Sequence, residues 1–484
     1  MINKHTTILL IVLIIIAVFV VLLPRIVCQE IPENAKFYSY PLHTDEWQHY
    51  TIAMSLDKNF FYPSVFYYQQ QEKIIDGSPV FHWLIYLFQK LGLQPKDFFI
   101  LPVLQAIFFS IVFFFFIAAL LNPWTGFIAT VFALFIQSNV AILGILFFKP
   151  FILGFAFFLL ALLIFNKKKH FCFSFIVVSL LAIFCYPPLI LLLIIYTLVY
   201  SLINKGVDKK YLFGVGILTL LTLLFGFYLT KGNNSLLADK IIYKDSIVGY
   251  GGINLIKYLG VPLIIFGLLG IVRTLKKKEL WPLHALIGFF ILNFILMIVT
   301  KSSLGFHYVR IIYLGSILFS IYAACGVWYV FKWLNKKIKR KALLIILLFI
   351  IATILPTFIF YIHSDSSANP AVHANWLKQD NFEALTFLNN LTDKNKKILH
   401  SPRIGTVITP LTGFKVTALQ TALTGGKRNE YYEIITSGFN CEEIKKIIEE
   451  KNYNLLWLKK QVECEFLKSV FENKSVFIYE YQDF

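Results

Sequence analysis

Long apolar runs, each about as long as a helix needs to cross a bilayer, follow one another through this chain, and lysines collect in the short polar stretches between them. A span needs about 20 predominantly apolar residues to cross the hydrocarbon. Within hydrocarbon, the backbone polar groups must all be paired inside the protein. Such runs therefore leave one architecture, a polytopic bundle of membrane helices. Composition agrees: 58% of the residues are apolar, 15% are charged, and mean hydropathy is +0.69, more than a soluble globule of this size could bury. The first run, Ile8 to Leu23, lacks the small-residue pattern of a cleavage site and reads as an uncleaved anchor.

A net charge of +18 raises the question of nucleic acid, and the distribution of that charge answers it. The tail from His363 carries 15 basic and 15 acidic residues, and Pro24 to Ser78 has seven acidic against four basic. The excess lies instead at Lys167 to Lys169, Lys205 to Lys210, Arg273 to Lys278 and Lys332 to Lys341, between apolar runs. That is the pattern of cytoplasmic loops, so no nucleic-acid partner is expected.

Spans are expected near residues 6–27, 98–120, 124–145, 149–166, 170–186, 187–203, 211–229, 256–274, 280–300, 308–331 and 342–362. Pro79 to Gly92 is too short to cross and contains His82, Gln89 and Lys90, so it reads as an interfacial or re-entrant helix. With the N-terminus in the cytoplasm, all four lysine clusters fall there too. Three segments are then extracytoplasmic: the loop 24–97, the loop 230–255 and the tail 363–484. The expected organisation is a membrane domain over 1–362 and a C-terminal extracytoplasmic α/β domain over 363–484, in a multi-pass protein of the cell membrane. Tyr186-Pro187-Pro188 divides one long apolar stretch into two helices, because proline cannot donate to the helix ladder.

In the tail, Phe382 to Leu391 has helical spacing, Lys397 to His400 and Tyr453 to Leu458 read as strands, Asn440 opens a helix, and Ser475 to Tyr481 reads as a closing strand. Cys441 and Cys464 could form a disulfide in that compartment. The sequons at Asn233, Asn390 and Asn473 are compatible with glycosylated loops.

The polar feature that stands out is PLHTDEWQHY, Pro41 to Tyr50, on the outer side of the first span. Asp45 and Glu46 open a helix expected to lie along the outer leaflet. Two readings apply: the acids complement the helix dipole, or they supply a general base or a metal-ligating carboxylate where an aqueous acceptor meets a lipid-borne donor. His43, His49 and, farther along, His82 could assist by binding substrate or metal.

A first span followed by an outer-face Asp45-Glu46 pair at the start of a juxtamembrane helix resembles the GT-C superfamily of integral-membrane glycosyltransferases. Gly77 to Gly92 is similar to that group's second juxtamembrane helix, and the tail from Trp376 resembles the outer α/β domain of several members. The resemblance implies transfer of a sugar from a polyprenyl-phosphate or polyprenyl-diphosphate donor to a protein, glycan or lipid acceptor outside the cytoplasm. It also implies Asp45 as the base, with Glu46 orienting substrate or helping to bind metal. Arg310, in GFHYVRIIYLG, matches a phosphate-contacting position, with His307 and Lys301 as helpers. A guanidinium grips phosphate at two points, although an arginine there could equally be an interfacial anchor. Asp45 and Arg310 are expected to face one external crevice.

One departure concerns the metal. Many members carry an acid between the third and fourth spans, where this chain has QSNVAILGILFFK, Gln137 to Lys149, without a carboxylate. No required cofactor is therefore expected, a divalent cation at Asp45 remaining an alternative with Glu72, Asp76 or Asp239 as substitute ligands. A catalytically silent scaffold of the same fold and a lipid-linked sugar transporter are the other functional readings.

Overall fold

The structure is a computed structural model that describes residues 4–28, 37–56, 78–138, 143–166, 172–204, 209–229, 242–244, 259–363, 369, 377–414, 416, 434 and 438–482. Its helices begin with α1 (Lys4–Ile26), α2 (Thr44–Ser55), α3 (Pro79–Lys90), α4 (Ile100–Leu120), α5 (Pro123–Leu134), α6 (Pro150–Asn166), α7 (Cys172–Cys185) and α8 (Leu189–Ile203). They continue with α9 (Lys209–Leu229), α10 (Val261–Thr274), α11 (Trp281–Thr300), α12 (Tyr308–Ile338), α13 (Arg340–His363), α14 (Gln379–Asn390), α15 (Pro402–Thr412) and α16 (Cys441–Lys451). Among the described residues, five helices are long and apolar enough to cross a membrane, and six shorter apolar helices accompany them. The chain is a multi-pass membrane protein. It divides into two compact units, one of Met1–Pro24 and Ile100–Asn369, the other of Arg25–Phe99 and Pro370–Phe484.

Proline starts many of these helices. Pro79, Pro123, Pro262, Pro282 and Pro402 occupy first or second positions, where the missing N–H is no loss and the fixed φ suits the helix. The break at Tyr186-Pro187-Pro188 separates α7 from α8 as expected.

In the first unit, α10 and α12 touch backbone to backbone. A Cβ on Gly270 would lie 1.8 Å from the Tyr322 carbonyl oxygen, and one on Gly326 would lie 2.1 Å from that of Phe266. Small residues permit this approach, which membrane helices use where lipid offers no hydrophobic driving force. At its C-terminal end α12 carries a belt of ring and cation pairs: Lys332 over Trp328, Lys337 over Trp333, and Arg273 of α10 over Tyr329 at 4.1 Å.

The third expected span is corrected. Helix α5 ends at Leu134, and the described parts of the segment that follows, up to Lys149, are not helical. Tyrosine hydroxyls take the place of helix carbonyls: the Ser138 N–H donates to Tyr361 Oη at 2.8 Å and the Ile145 N–H to Tyr313 Oη at 2.7 Å. Gly144 allows this, since a Cβ there would run into Ser138 and the Tyr313 ring.

In the second unit, nine of the twelve α2 residues are buried. The helix is therefore enclosed by its neighbours, α3 and α15 among them, rather than laid with one face on a leaflet. Helix α3, 12 residues long and so about 18 Å, is too short to span. Two short strands, β1 (Ile242–Lys244) and β2 (Ser302–Leu304), pair antiparallel in the first unit. The tail forms a sheet in the order β3 (Ile398–Leu399), β4 (Leu455–Leu458), β6 (Phe477–Tyr481), β5 (Leu467–Glu472), with β3 and β4 parallel and the other pairs antiparallel. Helix α16 packs its Ile444, Ile447 and Ile448 into the core beneath, and Cys441 and Cys464 are joined. The strand foreseen as closing the domain is internal, and β5, whose exposed charges hide its pattern, forms the edge. Asn473, in its sequon, lies in the turn between the last two strands. Its side-chain nitrogen donates to the Asp380 carbonyl at 2.8 Å and to Glu383, while its oxygen accepts from Ser475 and Val476, so this amide is a turn clamp.

Candidate functional site

The two adjacent acids have different environments. Glu46 is fully buried, and its Oε2 accepts from the Leu42 N–H at 2.8 Å and the His43 N–H at 3.2 Å. His43 completes a capping box by accepting from the Asp45 N–H at 3.1 Å. Behind this turn sits Arg25, also fully buried, whose Nη1 donates to the carbonyls of Tyr38 and Tyr40 at 3.2 and 2.6 Å. The guanidinium and the Glu46 carboxylate attract each other. In the same enclosure, burial pushes the Tyr38 phenol well above its ordinary range. Asp45, by contrast, keeps 40% of its side chain exposed. Of the pair, Glu46 holds the helix start, and Asp45 lies 3.6 Å from His43 Nδ1.

Helices α2 and α3 are joined by a bond of 2.9 Å between His49 Nδ1 and His82 Nε2. Gln89 donates to the Tyr50 carbonyl, and Tyr50 Oη donates to that of Leu93. Burial raises the Tyr50 phenol to about 12, which leaves it a neutral donor. His49 and His82 thus fix one juxtamembrane helix on the other, and His43 caps the first.

The Glu46 carboxylate and His43 Nδ1 are committed to backbone amides, and His49 to His82. Among the described residues no three His, Cys, Asp or Glu side chains gather in a metal-ligating group. Glu72, Asp76 and Asp239 lie outside the described residues.

In the first unit, Arg310 stands at the third residue of α12. Its guanidinium carbon lies 5.0 Å from the ring of Tyr186 and 5.4 Å from that of Phe151, and Nη1 reaches Tyr186 Oη at 3.4 Å. Phe151 is the second residue of α6, and Tyr186 immediately precedes the prolines that open α8. The N-termini of α6, α8 and α12 therefore meet at one guanidinium. Each helix brings the partial positive charge of its N-terminal end, an arrangement suited to an anion. His307 is the residue before α12. Burial first, and Arg310 second, lower its imidazole to about 4, so at neutral pH it adds no charge. Lys301 is exposed in a left-handed turn after α11. Among the described residues, no hydrogen bond or ring contact ties it to the Arg310 group.

Sequence reasoning passed over two cations. Arg25 had a signal in its place at the inner boundary of the polar loop. Lys149, buried to 2% exposure, was visible as a charge directly ahead of an apolar run.

No family model matches the sequence, and no curated protein matches it at a significant level. Solved structures do match in fold. An oligosaccharyltransferase of Archaeoglobus fulgidus tethered to an acceptor peptide containing the NVT sequon is similar, with TM-score 0.64 and 14% identity over 94% of this chain and 69% of that one. So is the Archaeoglobus fulgidus oligosaccharyltransferase AglB in complex with an inhibitory peptide and a dolichol-phosphate, with TM-score 0.61 and 14% identity over 94% and 69%. ArnT from Cupriavidus metallidurans bound to undecaprenyl phosphate gives TM-score 0.55 and 10% identity over 99% of this chain and 98% of that one. Identity at this level speaks for the fold alone: the chain shares the fold of these oligosaccharyltransferase and ArnT structures.

Proposed function

We propose that this protein is a membrane glycosyltransferase that moves a sugar from a polyprenyl-phosphate or polyprenyl-diphosphate donor to a protein, glycan or lipid acceptor outside the cytoplasm. The observation that supports this reading is the different setting of the two acids: Glu46 caps α2 in full burial, while Asp45 lies 3.6 Å from His43 Nδ1 and keeps 40% of its side chain exposed. Asp45 takes the proton of an acceptor hydroxyl as the acceptor oxygen attacks the anomeric carbon. The bond from that carbon to the phosphate oxygen breaks on the opposite face, and the phosphate departs with the electron pair, inverting the configuration. Arg310 stabilises the departing charge with two-point geometry. His43, His49 and His82 shape the acceptor side, the last two by fixing α2 on α3. His307 supports Arg310, and Lys301 is a more remote helper on the donor side.

The ligands in two of the similar structures, dolichol-phosphate and undecaprenyl phosphate, favour a polyprenyl carrier. The lysine clusters favour a cytoplasmic N-terminus, and the Cys441–Cys464 disulfide favours an oxidising compartment for the C-terminal domain. The absence of a carboxylate from Gln137 to Lys149 favours a second reading, a silent scaffold of the same fold.

Mass spectrometry of envelope glycans and glycolipids from a deletion strain separates the two. Complementation with wild type should restore a product that Asp45→Asn does not restore. A scaffold would be restored by both, and an unchanged profile in every strain would overturn the transferase reading.

A further inference from the structure

A hydroxyl buried in a membrane bundle is costly unless it is paired. Tyr313 of α12 is 1% exposed, in a chain whose usual buried ring is phenylalanine, 50 residues against 25 tyrosines. A tyrosine at this place therefore has work for its oxygen. That oxygen accepts from the Ile145 N–H at 2.7 Å, and Gly144 leaves room for the approach, since a Cβ there would stand 2.4 Å from Tyr313 Cε2.

The peptide so held belongs to the non-helical segment ahead of α6, and the segment is stiff from that point on. The Phe147 N–H donates to the Gly144 carbonyl at 3.1 Å. Gln105 of α4 donates to the Phe147 carbonyl at 2.8 Å and accepts from the Lys149 N–H at 3.1 Å. Phe151 follows two residues later, in the first turn of α6.

Tyr313 also meets Phe151 directly, with ring centroids 6.2 Å apart and planes at 87°. Phe151 is in turn the ring that lies 5.4 Å from the Arg310 guanidinium carbon. Arg310 precedes Tyr313 by three residues on α12, so both project from one face of that helix. The contacts close a circuit: α12 carries the cation and the tyrosine, and the tyrosine holds, by hydroxyl and by ring, the element that supplies part of the cation's aromatic bed. Tyr361 of α13 provides a comparison. Its hydroxyl accepts from the Ser138 N–H of the same segment at 2.8 Å, but its ring pairs with Phe360.

Resting on the proposed transferase reading, we infer that Tyr313 is a positioning residue of the donor site, setting Phe151 and, through it, the Arg310 guanidinium for the donor phosphate. The hydroxyl fixes where α6 begins, and the ring fixes how Phe151 lies against the cation.

The test is a double-mutant cycle on binding of C55 polyprenyl monophosphate to the full chain in nanodiscs, with phosphatidylglycerol as a separate arm. Arg310→Gln should weaken binding at least about tenfold. Tyr313→Phe should weaken it about three- to tenfold. The double variant should bind within about twofold of Arg310→Gln alone, because the tyrosine acts through the arginine. Tyr361→Phe, which strands a donor of the same segment, should lower the melting temperature as Tyr313→Phe does, yet bind within about twofold of wild type. Phosphatidylglycerol binding should not change. If Tyr313→Phe does not fold, as judged by its melting profile, the cycle is run on Phe151→Leu, which removes the relaying ring and should show the same coupling to Arg310. Losses that multiply in the double variant overturn the assignment and leave the transferase reading standing. So does wild-type affinity in folded Tyr313→Phe, an equal loss in Tyr361→Phe, or an equal loss for phosphatidylglycerol. If wild type binds no polyprenyl phosphate, both readings fall.

Discussion

At the residue scale, Asp45 and Glu46 are adjacent but differ in setting, one partly exposed and one fully buried. Asp45→Asn should lower transfer by about 10²- to 10⁴-fold and leave the melting temperature within a degree or two of wild type, about the experimental scatter. Glu46→Gln should do the reverse in the first instance. It weakens a buried cap and strands Arg25, with an expected loss of about 2–4 kcal/mol in unfolding of the purified protein. Equal thermal losses for the two variants would contradict this division. His307 gives a pH signature. Its folded value of about 4 lies below the 6.5 of an unfolded histidine, so between those values the unfolded chain binds more protons. Stability from this group is thus full above about pH 6.5 and falls as pH drops toward 4. His307→Gln should flatten that part of the melting profile, and parallel profiles for the two proteins would refute it. From the sequence, the acidic pair could be read as a cap or as a base. The choice was not legible because the deciding partners, Leu42 and His43 amides and a buried Arg25, are visible only once the loop after α1 has folded back.

At the element scale, apolar length located most membrane helices, and proline located many of their starts. What length could not show was where a helix stops inside an apolar run. Phe135 to Lys149 reads as a continuation of α5, yet Tyr313 and Tyr361 take over its backbone donors from chain positions more than 160 residues away. In the tail, α14 and α16 were legible from periodicity and capping, whereas β5 was not, because an edge strand need not alternate cleanly. Close helix packing yields a contrasting pair of variants. Gly270→Ala in α10 should cost about 2–3 kcal/mol, since its Cβ meets backbone. Gly288→Ala in α11, with nothing within 4 Å, should be neutral or stabilising by up to about 1 kcal/mol. Thermal unfolding in one detergent compares them, and similar melting points would contradict the predicted contact.

At the scale of the whole molecule, the ring and cation belt on α12 has a mechanical consequence. Rings and cations of this kind hold to the zone of lipid headgroups. The helix has 31 residues and is about 46 Å long, longer than hydrocarbon about 30 Å thick. One terminus is thereby moored at a fixed depth, and any stretching or thinning of the bilayer is taken up at the other, where Arg310 and His307 stand. Turnover measured in nanodiscs with acyl chains from about 14 to about 20 carbons should pass through an optimum, and a flat response would contradict the mooring. On this view the lipid composition of the host membrane acts as a vernier on the height of Arg310, and the protein carries its own depth gauge.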